Sequence, residues 1–153
     1  MAWFITYHTY LKTLEYIVFG LYRTDDYSRK KYTIYKLTKD ELYIDKSETW
    51  HTKHDFGKEY KFHGYKASNE KYQLVEELLH NVPRIILSKK IKKYGDNFGS
   101  KLQDNLIIEV FDGEQKTNII IDSYIKETEE LPVKLREFRL LVESFIKKLE
   151  SIE

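Results

Sequence analysis

Three histidines and an aspartate, His51, His54, Asp55 and His63, have the side-chain types that could hold a metal. Zinc requires three or four nitrogen, sulfur or carboxylate ligands converging on one point. His51 and His54 would share a face on a helix. The residues around them, Trp50, Thr52, His54 and Phe56, alternate as in a strand, which sends positions three apart to opposite faces. No carboxylate stands at a zinc-enzyme spacing, so no metal site is expected. Gly95-Asp96-Asn97-Phe98-Gly99-Ser100-Lys101 resembles a phosphate loop only superficially. Its second glycine comes one residue early, its lysine follows the serine, and an exposed loop is expected instead. Asp55-Phe56-Gly57 matches a kinase tripeptide, but no glycine-rich or catalytic loop accompanies it in a chain of 153 residues. No G-x-S-x-G elbow is present, and the absence of cysteine removes thiol nucleophiles, disulfides and cysteine zinc sites. No catalytic residue, metal or cofactor is therefore expected.

Binding chemistry is better represented. Lys89-Lys90-Ile91-Lys92-Lys93-Tyr94, after Arg84, is the strongest local run of charge and reads as a solvated face or loop. Basic residues interleaved with aromatics can grip a nucleic-acid backbone. Against that, 26 basic residues stand beside 25 acidic ones, and a net charge of +1 disfavours nucleic acid as the partner. The same lysines could steer docking onto an acidic protein. Interface energy centres on a few aromatics with a polar rim. Trp50, Tyr94 and Phe98 are thus the candidate anchors for a protein partner, with Lys89, Lys90, Lys92 and Lys93 as the rim.

These residues must be carried by strands and helices legible in the pattern. Tyr16 to Tyr22 reads as a strand, and Asp25 to Ser28 as a turn. Tyr32 to Leu37 and Glu41 to Asp45 form a hairpin through Thr38-Lys39-Asp40. Ser68 is a good N-cap, and Tyr72, Val75, Leu79 and Val82 at helical spacing predict one helix ending before Pro83. Leu106 to Phe111 and Lys116 to Tyr124 are strands joined through Asp112-Gly113, whose residues tolerate positive φ. Pro132 suits the first position of a helix, and Leu135, Phe138, Val142, Phe145 and Leu149 give that helix one apolar stripe.

Strands joined by short turns predict an antiparallel sheet, and two one-sided helices must bury their stripes on it. The expected fold is α+β: a two-layer sandwich with two main helices on one face of a sheet of hairpins, in one domain over 1–153. The second hairpin is apolar on both faces. Leu106, Ile108 and Val110 point one way, Ile107 and Phe111 the other. A second cover is therefore expected over the far face: either the stripe Trp3, Tyr7, Tyr10 and Leu14, or another chain, including a second copy in a homodimer.

Hydrophobic residues at 41% and charged residues at 33% describe a globular chain, long enough to build a core unaided. The apolar start Met1 to His8 has no basic lead and is interrupted by Lys12 and Glu15, so neither a leader nor a span is expected, and a cytoplasmic location follows. Thirteen tyrosines beside abundant Lys and Ile fit the codon bias of a low-GC bacterial genome. The element order, carried by the Tyr32 to Asp45 strands, the Ser68 to Val82 helix, the Asp112-Gly113 hairpin and the Glu130-Leu131-Pro132 helix start, resembles small bacterial α+β domains over about residues 15–150. Some of these are immunity proteins, which bind and neutralise a cognate toxin. The resemblance implies a non-enzymatic protein-binding module, an immunity-type inhibitor being one form of it, and brings no functional residue with it. The competing expectation is a small enzyme or ligand-binding domain with a pocket between sheet and helices.

Overall fold

The computed structural model describes residues 14–23, 33–46, 62–87, 91–95, 104–122 and 131–152. Their strands are β1 (Tyr16–Arg23), β2 (Ile34–Thr38), β3 (Leu42–Asp45), β4 (Tyr65–Lys66), β5 (Ile91–Tyr94), β6 (Asp104–Phe111) and β7 (Lys116–Asp122). The helices are α1 (Asn69–Val75), a 3₁₀ helix (Glu76–Asn81), α2 (Arg84–Leu87) and α3 (Val133–Ser151). The strands form one sheet in the order β4-β3-β2-β1-β6-β7-β5. The six from β4 to β7 are antiparallel, and β5 is added at the edge parallel to β7. The fold is α+β, with the helices packed against the sheet.

Local chemistry explains both hairpins. Between β2 and β3, the Thr38 N–H donates to the Glu41 carbonyl at 2.9 Å, and the Thr38 hydroxyl oxygen accepts from the Glu41 N–H at 3.0 Å. Phe111 pairs with Lys116, so the second turn spans the four residues 112–115 left between the two expected strands. Asp112 acts there through its carboxylate, which accepts the N–H groups of Glu114 and Gln115 at 2.9 and 2.8 Å. Gly113, at φ +96°, supplies the left-handed residue.

β1 ties the two hairpins together. It pairs with β6 along its whole length, from Tyr16↔Phe111 to Arg23↔Asp104, and with β2 on its other side. Ile17, Phe19, Tyr35, Leu37, Leu42, Ile44, Leu106, Ile108, Val110, Ile119 and Ile121 share the helix side and are buried. They merge into one apolar cluster with Val75, Leu78, Ile86 and the expected α3 stripe, Leu135, Phe138, Val142, Phe145 and Leu149. Among the described residues this cluster fills the space between sheet and helices. Each fully buried Leu, Ile or Phe there contributes about 1.5–3 kcal/mol of transfer free energy.

The helix expected over Ser68 to Val82 is corrected in its middle. Ser68 caps α1 as expected, its hydroxyl accepting the Lys71 N–H at 3.3 Å. After Val75 the chain tightens to 3₁₀ geometry. Three residues per turn align Val75 with Leu78, and these two are fully buried while Leu79 is only half-buried. Val82 is extended before Pro83, and α2 follows. Pro132 stands one position before α3, its carbonyl accepting the Arg136 N–H at 2.9 Å.

The face away from the helices is partly apolar. Val18, Ile34 and Ile120 are buried on it, and Ile107 is half-buried. Of the stripe expected to cover it, Trp3, Tyr7 and Tyr10 lie outside the described residues, and Leu14 packs against the helix-side cluster instead. Asn105, fully buried in β6 on the far face, finds no hydrogen-bond partner for either amide atom among the described residues. Such a group costs about 1–3 kcal/mol of desolvation. No described helix is long and apolar enough to cross a membrane.

Candidate functional site

At the opposite end of that face from Asn105, the sheet opens into a half-open groove of about 360 Å³, lined by Tyr16, Val18, Lys36, Phe62, His63, Glu109 and Lys116. Strand register builds its floor. Lys36 pairs with Val18, and Val18 with Glu109, placing side chains from β2, β1 and β6 in one row across the sheet. Tyr16 lies one step along β1, and Lys116 begins β7 beside Phe111.

The wall is the segment entering β4. The fully buried carboxylate of Asp45 accepts the His63 backbone N–H at 2.9 Å, pinning residues 62–64 against the end of β3. Gly64 makes the approach possible: a Cβ there would overlap the Phe62 ring and stand 2.9 Å from the Ile44 carbonyl oxygen. The Phe62 ring can then close one side of the groove.

The groove's polar groups are interlocked. The Tyr16 hydroxyl donates to Glu109 Oε1 at 3.0 Å, and the Tyr16 ring stacks at a tilt on Phe111, with centroids 5.3 Å apart. The Lys36 ammonium sits 4.4 Å from the Tyr16 ring centroid and 6.0 Å from that of Phe62, within reach of cation–π attraction to both. Neither Lys36 nor Lys116 makes an ion pair with a described residue. Burial first, then the adjacent Glu109 charge and its hydrogen bond, raise the Tyr16 phenol well above the usual tyrosine range. It stays neutral and a donor at physiological pH.

A second tyrosine ties stability to alkaline pH. Burial, and then the Glu150 charge, push Tyr35 up to about 12 from the ordinary value of 10.0. The folded state therefore holds this proton more tightly than the unfolded state. The resulting stabilisation is complete below pH 10 and is lost as pH rises from 10 to 12. A shift of this size corresponds to about 2–3 kcal/mol. Urea melts should fall in midpoint across that window, and Tyr35→Phe should flatten the fall. An equally steep fall in the variant would assign the effect to other groups.

The residues expected from sequence to bind a partner are not brought to this groove. Trp50, Phe98, Lys89 and Lys90 lie outside the described residues, as do His51, His54 and Asp55. Of the expected solvated face or loop, the loop is corrected: Lys92, Lys93 and Tyr94 belong to edge strand β5, and Tyr94 is half-buried against the core. The lysine run is strand there because Ile91 to Tyr94 pair with Asn118 to Ile121. His63 is exposed on the groove wall, and no group of three or more His, Asp or Glu among the described residues could hold a metal. Tyr16, Lys36, Glu109 and Lys116 match no motif in the sequence. A usable signal is nonetheless present: Lys36 and Glu109 are charges set mid-strand between apolar neighbours, Tyr35 and Leu37 in one case and Ile108 and Val110 in the other.

No protein-family model matches the chain, and comparison with curated proteins and with solved structures returns no match either.

Proposed function

We propose that the protein is a non-enzymatic protein-binding module and that the groove on the sheet face away from the described helices is its contact surface. The observation that carries this reading is the composition and openness of the groove. Aromatic rings of Tyr16 and Phe62 and the charges of Lys36, Glu109 and Lys116 line a half-open depression built on rigid strands. Aromatics flanked by charge are the composition of interface centres and rims. The polar groups nearest to acid–base chemistry are engaged in structural bonds, Glu109 with Tyr16 and Asp45 with the His63 N–H. An immunity-type inhibitor is the narrower form of this reading and rests on element order.

The ligand-binding alternative is favoured by one observation: about 360 Å³ falls within the range of small-molecule pockets. It would use the far face of the sheet, not the filled space between sheet and helices. Photo-crosslinking separates the two readings. A photoreactive amino acid placed at Phe62 or Lys116, on the groove, should capture one protein at stoichiometric yield from source-cell lysate. The same group at Leu140, exposed on α3, should not. Equal capture from all three positions, or none from the groove, would sink the proposal.

A further inference from the structure

Among its described residues the groove carries more unpaired positive than negative charge, and this selects among partners. We infer that it receives an acidic segment of a protein partner, whose carboxylates are met by Lys36 and Lys116 while an apolar side chain of the same segment packs on Phe62. The inference rests on the reading of the groove as a protein interface and names the chemistry of what enters it.

Lys36 is half-buried, held over the Tyr16 ring, and lacks a carboxylate partner among the described residues. Lys116 is exposed at the start of β7 and equally without one. The single carboxylate among the described lining residues, Glu109, is already bonded to the Tyr16 hydroxyl, which spreads part of its charge. Two ammonium groups on either side of one engaged carboxylate leave the described lining of the depression net positive. Contrast the neighbouring edge, where Lys66 is neutralised by Glu41 at 2.8 Å. Half-burial also strengthens the preference, because a charge shielded from water is less screened by salt than one on an open surface. A nucleic-acid backbone fits less well, since Glu109 sits in the same cross-strand row as Lys36 and would face the phosphates.

The test titrates the full chain, labelled for amide NMR, with a capped peptide of alternating Glu and Phe and with its Lys-for-Glu counterpart. The expected result is saturable shifts of β1, β2 and β6 amides around the groove with the acidic peptide only, weakening as salt is raised. The paired charge reversal Lys36→Glu with Lys116→Glu should weaken binding about tenfold or more. The milder pair Lys36→Gln with Lys116→Gln should weaken it less, and it keeps the test valid should the reversal disturb folding. Equal binding of both peptides, binding that survives either double variant, or no saturable shift would overturn the inference. Groove crosslinking to a protein that nonetheless prefers the basic peptide would overturn this inference alone and leave the protein-binding reading in place.

Discussion

Phe145→Ala should remove about 3–5 kcal/mol of stability, read as a large fall in the urea midpoint at unchanged slope. Phe145 is 1% exposed and sits in the α3 stripe that closes the core against Val142, Ile146 and Leu149. Truncation loses the transfer free energy of the ring and leaves a cavity that a sheet paired on both sides cannot collapse to fill. Domains of this size are stable by about 5–15 kcal/mol in total, so the variant would sit close to unfolding at ambient temperature. Leu140→Ala on the same helix is the control. Leu140 is 52% exposed, and its loss should cost within about 0.5 kcal/mol. Comparable losses for the two would mean that α3 does not pack by this stripe.

That stripe is legible in the sequence because helical spacing and burial coincide over nineteen residues of α3. The two hairpins are legible for a similar reason, since turn chemistry at Thr38 and Asp112 fixes strands that are neighbours in sequence. What escapes is decided by distant partners. β5 offers one isoleucine among lysines, a pattern that reads as solvent-facing, and becomes a strand only because β7 lends it a parallel edge. The shift from α to 3₁₀ geometry at Glu76 turns on whether Leu78 or Leu79 is buried, which sequence spacing leaves balanced. The groove is further out of reach. Tyr16 and Glu109 are 93 positions apart, and only the β1–β6 register makes them neighbours. The sequence does show that the β6–β7 hairpin is apolar on both faces. It does not show that charge interrupts the far face at one end, because that depends on aligning Lys36, Val18 and Glu109 across three strands.

The groove's wall hangs on one buried carboxylate, and Asp45→Ala should therefore change shape as well as stability. Asp45 is fully buried at the end of β3, paired across the ladder with Ile34, and its Oδ2 receives the His63 N–H. A hydrogen bond to a charged acceptor contributes about 1.5–3 kcal/mol. His63 is exposed, so its freed N–H can turn to water, and this bond's share of the cost should fall at the lower end, about 1.5 kcal/mol. The larger effect is geometric. Without the anchor, residues 62–64 lose the bond that holds the Phe62 ring near the Lys36 ammonium. The proton NMR cross-peak between the Phe62 ring and the Lys36 side chain should vanish in Asp45→Ala. It should persist at reduced intensity in Asp45→Asn, whose amide oxygen can still accept. Binding through the groove should weaken in the same order, although neither variant alters a residue that lines it. A cross-peak of wild-type intensity in Asp45→Ala would transfer the anchoring to the packing of Gly64 against the Ile44 carbonyl. Gly64→Ala would then be the variant that opens the groove, since its added methyl cannot coexist with the Phe62 ring in its present place.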